Sequence, residues 1–152
     1  MMFDMACVFC DIVAEKAPAV RIYEDNDYLA FLDIRPFTRG HTLVIPKRHF
    51  VDLTDTPPDV VADLARIGQR IAQASRESGL HADGNNIAIN DGRAAFQSVF
   101  HIHLHVVPRQ AGDKLAFVKG MLLRRDPDRE TSGKILRGAV ARLSDPQADL
   151  NP

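Results

Sequence analysis

The 152-residue sequence contains no tryptophan and only two cysteines, and its formal net charge is only −1. Two cysteines are too few for the disulfide framework that stabilises many small secreted domains. A nearly neutral chain does not indicate a general nucleic-acid binder, whose binding face is basic. No apolar run approaches the roughly 20 residues of a membrane-spanning helix, and the N-terminus "MMFDMACVFC" lacks the pattern of a signal peptide. These absences predict a cytoplasmic protein that binds neither nucleic acid nor membrane.

Histidine is concentrated in one short stretch. Three of the six histidines, His101, His103 and His105, alternate with apolar residues in "FHIHLHVV". Successive side chains of a β-strand point to opposite faces, so the three imidazoles share one face and the apolar residues the other. The simplest interpretation is a half-buried strand whose polar face carries histidine. Because imidazole serves as acid, base, nucleophile and metal ligand, three in strict alternation favour a functional site.

The rest of the chain predicts one domain with its own core. Apolar patterns bounded by turn residues predict five strands, at residues 20–24, 28–34, 40–46, 85–90 and 99–108. Apolar residues at helical spacing predict a long helix before the fourth strand, with Thr56 as its N-cap and Gly79 as its end. Shorter helices are expected at residues 8–15 and within 128–143. This order predicts an α+β fold with a largely antiparallel sheet.

Four motifs, in this order, resemble the histidine-triad (HIT) family of nucleotide-binding hydrolases and transferases. They are "CVFCDI", "YEDNDYLAFLDIRP", "GHTLVIPKRH" and "QSVFHIHLHVVPR", which together cover residues 7 to about 109. The resemblance implies a HIT-like fold, with a five-stranded mainly antiparallel sheet, one long helix and a short N-terminal helix. It also implies a homodimer that joins two sheets into a larger one. On this basis residues 1–110 form the HIT domain, and residues 111–152 are a partly helical C-terminal extension of the same domain.

The resemblance implies a mechanism for the three histidines. His103 would attack the α-phosphorus of a nucleotide, because neutral imidazole is a good nucleophile and splits one hard displacement into two easier ones. A backbone carbonyl near His101 would hold the proton of His103 on its other ring nitrogen. His105 would contact phosphate oxygens and protonate the leaving group. The catalytic set is therefore His101, His103 and His105.

The same resemblance implies a nucleotide site. Asp33 would accept the ribose hydroxyls, although by pattern alone it would be a turn cap. Three polar residues before the histidines would hydrogen-bond phosphate, although alone they would be turn or surface residues: Asn90, Gln97 and Ser98. Four apolar residues would enclose a purine base, although by pattern alone they would be core: Phe9, Ile12, Phe31 and Ile34.

Cys7 and Cys10 form a C-x-x-C pair that the spacing alone leaves open. Such a pair is a redox motif, half of a zinc site, or two small buried residues. One branch of the HIT family, often bacterial, binds structural Zn²⁺ through residues that match Cys7, Cys10, His49 and His101. The resemblance therefore implies a closed Cys₂His₂ zinc site, and the alternative is two reduced thiols without metal.

The sequence departs from the family pattern at Phe96, where a small residue, commonly glycine, is usual. A bulky side chain removes the backbone freedom of glycine and is expected to narrow the phosphate site or change which leaving group fits. His41 and His81 match no motif position and are interpreted as incidental.

The sequence thus predicts a hydrolase that cleaves a nucleoside 5′-monophosphate derivative at the α-phosphorus and releases AMP or GMP. Candidate substrates are phosphoramidates, adenylates and dinucleoside polyphosphates. The central "HLH" differs from the "HPH" of uridylyl-transferring relatives, which favours water as the acceptor. Two alternatives remain, a nucleotide-binding or scaffold protein with structural zinc and little catalysis, and a redox protein that uses Cys7 and Cys10.

Overall fold

The computed structural model describes residues 6–143. Five strands form the sheet, β1 (Arg21–Glu24), β2 (Tyr28–Leu32), β3 (Thr42–Pro46), β4 (Gly84–Ile89) and β5 (Leu104–Arg109). The helices of this part of the chain are α1 (Val8–Val13), α2 (Pro58–Glu77), α3 (Lys114–Leu123) and α4 (Arg129–Arg142), with a 3₁₀ turn at Arg93–Ala95. Among the described residues, no helix combines the length and the apolar character that a bilayer crossing requires.

The strands form one antiparallel sheet in the order β1-β2-β3-β5-β4. The expected α+β fold with a five-stranded antiparallel sheet is confirmed. Strand β5 lies between β3 and β4, so that Val106 pairs with Thr42 on one side and with Ile87 on the other. The histidine-bearing segment therefore enters the middle of the sheet, where both neighbours fix its position.

The two faces of the sheet carry separate apolar clusters. On one face α2 and α4 pack against the strands, and Leu64, Ile71, Leu104, Val106 and Leu136 are buried there. The opposite face carries a smaller cluster, made of Phe9, Ile12, Leu29, Phe31, Leu43 and Ile45. Both faces of β2 and β3 are covered, which explains why all of their residues are buried. Helix α1 covers the smaller cluster, and His101 and His103 contact Phe9 of α1 on this face.

The long helix begins later than expected. Helix α2 starts at Pro58, and its N-cap, Pro57, has no side chain that can accept a hydrogen bond. The prediction of Thr56 as N-cap is wrong, because its hydroxyl donates to the backbone oxygen of Asp52 at 2.6 Å. Two prolines already supply the backbone angle of a first helical turn and remove two N–H groups that would need partners.

Strand β5 also begins later than expected, at Leu104 rather than near residue 99. The chain bends at residues 99–101 before it joins the sheet, and the N–H of Ile102 donates to Phe50 O at 2.8 Å. The expected alternation nevertheless continues, because Ile102 is buried in the α2 cluster while His101 and His103 contact Phe9 on the other face.

The C-terminal part of the chain returns to the sheet. Helix α4 packs on α2 and β1. At the C-terminal end of α4, Val140 O and Leu143 O accept hydrogen bonds from the Arg70 guanidinium. Helix α3, which the sequence does not predict, approaches the loop between β2 and β3. A Cβ at Gly120 would overlap Phe37 O, so only glycine permits this approach.

Candidate active site and metal centre

One cavity of about 800 Å³ opens on the histidine-bearing face, within the usual range for small-molecule sites. The structure brings together in its lining ten of the residues selected from the sequence: Phe9, Ile12, Phe31, Asp33, Ile34, Asn90, Gln97, Ser98, His103 and His105. The remaining histidine of the triad, His101, lies behind the cavity wall, fully buried beside Cys7 and Cys10. The cavity is apolar at α1 and polar where β5 begins.

The proton of His103 is fixed by the backbone. Nδ1 of His103 lies 2.7 Å from His101 O, and because a carbonyl oxygen only accepts, Nδ1 carries the proton. The lone pair is therefore on Nε2. His103 is 4% exposed, and burial lowers the pKa of its imidazole. The neutral, nucleophilic form of His103 is thus favoured at neutral pH.

A second chain of hydrogen bonds fixes His105 through His41. The N–H of Phe37 donates to Nδ1 of His41 at 3.0 Å, so neutral His41 carries its proton on Nε2. That Nε2 lies 2.9 Å from Nδ1 of His105, which must accept. His105 consequently holds its proton on Nε2, a buried atom without a hydrogen-bond partner among the described residues. His105 therefore presents an N–H donor, at Nε2, on the cavity side of the site.

The interpretation of His41 as incidental is wrong. His41 is fully buried, and its ring links the loop after β2 to His105. The signal that identifies it is strand pairing, because Leu43 of β3 pairs with His105, and residue 41, two positions earlier and just before β3, is expected to point the same way. Asp33, His41 and His105 also lie close enough to hold a metal ion, but the two rings already share a proton there. His81, by contrast, is exposed and does not line the cavity.

Burial of this pair predicts acid sensitivity. Burial lowers the pKa of His41 from 6.5 to about 4 and that of His105 to about 3. Above pH 6.5 both groups are neutral whether the chain is folded or unfolded. As the pH falls toward 4, only the unfolded chain binds their protons, so the free energy of unfolding decreases, by about 2 kcal/mol per histidine at pH 5.

Urea unfolding at pH 7 and pH 5, with metal content checked at each pH, measures this effect. In His41→Gln, whose amide can bridge the same neighbours, we expect the decrease to be smaller by about 2 kcal/mol, because one of the buried histidines with a lowered pKa no longer titrates. His81→Asn is the matched control and should keep the wild-type decrease. An equal decrease in His41→Gln and the wild type would contradict the assignment.

Asp33 lies where β2 ends, buried at the cavity wall. Its Oδ1 accepts the N–H of Arg35 at 2.8 Å, and its Oδ2 is 3.7 Å from Nε2 of His41. Asp33 therefore caps the turn after β2 and also lines the cavity. The carboxylate keeps acceptor capacity toward the cavity, since each carboxylate oxygen accepts more than one hydrogen bond.

The polar residues before the triad divide into two kinds. The Gln97 amide is used within the protein, accepting from Gly92 N at 2.8 Å and donating to Val51 O and Val99 O at 2.7 and 3.2 Å. It holds the loop rather than offering its donors to the cavity. Asn90 and Ser98 line the cavity, and no side-chain hydrogen bond engages either of them within residues 6–143. Their donors are available to a ligand.

Phe96 occupies the backbone conformation that glycine favours. Its φ of +67° and ψ of +23° are left-handed, and its side chain is 87% exposed. The ring therefore stands at the mouth of the cavity and leaves the volume near His103 open. The exposed ring does not fill the cavity, which argues against the expected narrowing of the phosphate site.

Phe96→Gly is expected to stabilise the fold. A left-handed residue with a Cβ costs roughly 1–2 kcal/mol, and the added flexibility of glycine in the unfolded chain offsets about 0.5–1 kcal/mol of that. The expected net gain in the free energy of unfolding is about 0.5–1 kcal/mol, measured by urea unfolding. Ala95→Gly, at a neighbour without positive φ, is the matched control and should lose stability. A Phe96→Gly protein less stable than the wild type would show that the ring contributes more than its backbone strain removes.

Behind the cavity wall that carries His103, four side-chain atoms that can bind a metal ion lie close together. They belong to Cys7, Cys10, His49 and His101, and they all lie within 4.8 Å of one another. Nε2 of His101 donates to Pro46 O at 2.8 Å, which leaves the lone pair of Nδ1 facing the thiols at 3.5 and 3.6 Å. Nδ1 of His49 is 3.3 Å from Sγ of Cys10. Tetrahedral zinc with ordinary Zn–S and Zn–N bonds requires sulfur–nitrogen distances of about 3.5 Å, so these residues fit the ion.

The surroundings of the Cys10 thiol do not favour redox chemistry. Burial, together with the neighbouring Cys7 thiol, raises the pKa of Cys10 to about 11. A thiol with such a pKa carries almost no thiolate at neutral pH, and thiolate is the reactive form in disulfide exchange. A bound cation would displace that proton and form the thiolate ligand.

Comparison with known proteins agrees with this geometry. The family model of the HIT domain matches residues 14–112. An uncharacterised HIT-like protein of Mycobacterium tuberculosis is 70% identical over 137 residues, covering 90% of this chain and 94% of its own length. The adenosine 5′-monophosphoramidase of Saccharomyces cerevisiae is 34% identical over 140 residues, covering 92% of this chain and 84% of its own.

A solved structure extends the comparison to the fold and the metal. The crystal structure of a Zn-bound histidine triad family protein from Mycobacterium smegmatis aligns with a TM-score of 0.84 and 69% identity. It covers 97% of this chain, and 99% of that protein is aligned. With a matching family model over most of the folded chain, close relatives and a shared fold, the chain belongs to the histidine-triad (HIT) family.

Proposed function

We propose that this chain is a hydrolase that cleaves a purine nucleoside 5′-monophosphate derivative at the α-phosphorus through a covalent nucleotidyl-His103. The observation that carries the proposal is the hydrogen bond from Nδ1 of His103 to His101 O, at 2.7 Å. It holds the proton on the ring nitrogen away from the substrate and leaves Nε2 as a nucleophile. The relationship to a yeast adenosine 5′-monophosphoramidase supports a phosphoramidate as the first substrate to test.

The nucleotide is proposed to lie along the cavity, from α1 to the start of β5. The purine base fits the apolar end, against Phe9, Ile12, Phe31 and Ile34. Asp33 accepts the ribose hydroxyls at the middle of the cavity. Asn90 and Ser98 donate to the α-phosphate oxygens, where donors fixed in advance stabilise the charge that develops in the transition state.

In the first step, the lone pair on Nε2 of His103 attacks the α-phosphorus and the bond to the leaving group breaks. The leaving nitrogen or oxygen takes the proton from Nε2 of His105 as its bond to phosphorus breaks, and the adjacent ring of nucleotidyl-His103, which is cationic because it keeps its Nδ1 proton, balances the negative charge left on His105. In the second step, water attacks the same phosphorus, the bond from phosphorus to His103 breaks, and AMP or GMP leaves. The proton of the water passes to Nε2 of His105, which restores the starting state.

The four-ligand cluster is proposed to hold structural Zn²⁺, which supplies a cross-link and has no open position for substrate. With the ion bound, Cys7 and Cys10 would tie α1, and with it one side of the proposed base pocket, to His49 and His101. His101 in turn presents the carbonyl that fixes His103. The metal ligands are therefore proposed to position the nucleophile, His103, through a single residue, His101.

The protein is further proposed to act in the cytoplasm as a homodimer. Strand β4 is an edge strand of the sheet, and its Ile87 side chain is 48% exposed, which suits pairing with a second copy. Residues 111–152 are proposed to extend the same domain. The packing of α4 on α2 and β1 supports this, because the extension shares the main core.

The experiment that tests the proposed function measures AMP release from adenosine 5′-phosphoramidate in a single turnover by the wild type and by His103→Ala. Acid quenching and mass spectrometry of the wild type detect the covalent intermediate. An inert wild type that still binds AMP would favour the alternative, a nucleotide-binding or scaffold protein.

A further inference from the structure

The junction after α3 brings an arginine back to the cavity. Arg124 is the C-cap of α3, with φ of +49° and ψ of +54°, and its N–H donates to Gly120 O at 2.7 Å. A side-chain-bearing residue in this left-handed conformation costs free energy, and the surrounding contacts must compensate for it. In Arg124, the side chain makes these compensating contacts.

The guanidinium of Arg124 is held on the loop between β2 and β3. Its Nε donates to Arg35 O at 2.9 Å, and its plane lies over the Phe37 ring at 4.5 Å. The close approach of α3 at Gly120 places the arginine within reach of this loop. A stacked and hydrogen-bonded guanidinium is oriented before any ligand binds.

The oriented group points to the carboxylate of Asp33. Nη2 of Arg124 lies 4.0 Å from Oδ2 of Asp33, and both residues line the cavity with His103 and His105. The arginine side chain is 29% exposed. Only its Nε makes a hydrogen bond within the described part of the chain, so the Nη donors remain available to a ligand.

We propose that Arg124 and Asp33 bind the same ribose hydroxyls and that Arg124 sets the preference for ribonucleotides over deoxyribonucleotides. A hydroxyl is both donor and acceptor, so it can donate to the Asp33 carboxylate while its oxygen accepts from the guanidinium. A neutral hydroxyl fits this place better than a second anionic group, which the adjacent carboxylate would repel. A 2′- or 3′-deoxyribose lacks one of these hydroxyls, so the Asp33 carboxylate and the Nη donors of Arg124 would each have fewer hydrogen bonds to the ligand. The inference rests on the proposed function, because that assigns the ribose to Asp33.

Calorimetric binding of AMP, 2′-deoxy-AMP and 3′-deoxy-AMP tests this assignment without requiring turnover. The wild type is expected to bind AMP more tightly than the deoxy nucleotides, and Arg124→Met to reduce that ratio about tenfold. A purely structural role for Arg124 would weaken all three nucleotides equally and leave the ratio unchanged. Arg125→Met, at an exposed neighbour that does not line this cavity, is the matched control.

A second variant moves the arginine without removing it. Gly120→Ala forces α3 away from Phe37 O, and we expect the same fall in the ratio as in Arg124→Met. An unchanged ratio in Arg124→Met overturns the role of Arg124 and leaves the proposed function intact. A wild type that binds none of the three nucleotides overturns the proposed function and this inference together.

Discussion

Replacing His103 with alanine is expected to slow AMP release from adenosine 5′-phosphoramidate by about four to five orders of magnitude, a loss typical of removing a nucleophile. The variant retains the cavity and the donors on Asn90 and Ser98, but no other described side chain has a ring nitrogen held by a carbonyl and directed at the same place. Water would have to attack directly. Single-turnover kinetics with the protein in excess measures the step, because product release then does not limit the rate.

The control for His103→Ala should replace another histidine with alanine, at a position outside the cavity. His81→Ala meets this condition, since His81 is exposed and outside the cavity, and it should retain the wild-type rate. AMP binding to His103→Ala, measured by calorimetry, shows that the variant is folded. A variant that releases AMP as fast as the wild type would remove His103 from the reaction.

The second large effect is expected from the metal ligands. Replacing Cys7 and Cys10 together with serine should abolish zinc binding, about one equivalent in the wild type, because serine is a poor zinc ligand. Structural zinc in small sites contributes on the order of 10 kcal/mol. If about 5 kcal/mol of that stabilises this larger domain, the melting temperature should fall by roughly 10–20 °C. Metal analysis and thermal unfolding measure the two quantities.

A chelator supplies the matching control. Wild-type protein that is depleted of metal should melt at the same temperature as Cys7→Ser/Cys10→Ser, and added Zn²⁺ should restore only the wild type. Purified wild type without zinc, with melting unchanged in the double variant, would contradict the metal centre. Reversible disulfide formation between the two thiols would then support the redox alternative instead.

The sheet could be predicted from the sequence because its signals are local. Alternating or continuous apolar runs between turn residues mark all five strands, and the long helix follows from apolar residues every three to four positions. The boundaries are set by contacts between distant segments. β5 starts at Leu104 because β3 and β4 become its neighbours only there, which no local pattern records.

The candidate site could be predicted only where it follows a motif. Helix α3 has apolar residues on all sides and docks mainly through Phe117 and Gly120, so it lacks the stripe that identifies a packed helix. His41 acquires its role from a hydrogen bond across two strands, and Arg124 from a left-handed turn after α3. Both roles depend on contacts with residues that are distant in the sequence, which local patterns do not record.

The position of β5 between β3 and β4 also determines when the site can form. Leu43 and His105 pair across about 60 residues of chain, and closing so long a loop slows folding. Until β5 enters, β3 has no partner on that side and β4 has none at all. His103 and His105 therefore reach the middle of the sheet only in the step that completes it. During synthesis on the ribosome, the edges of β3 and β4 remain open to other chains until that step, and the candidate site does not exist before it.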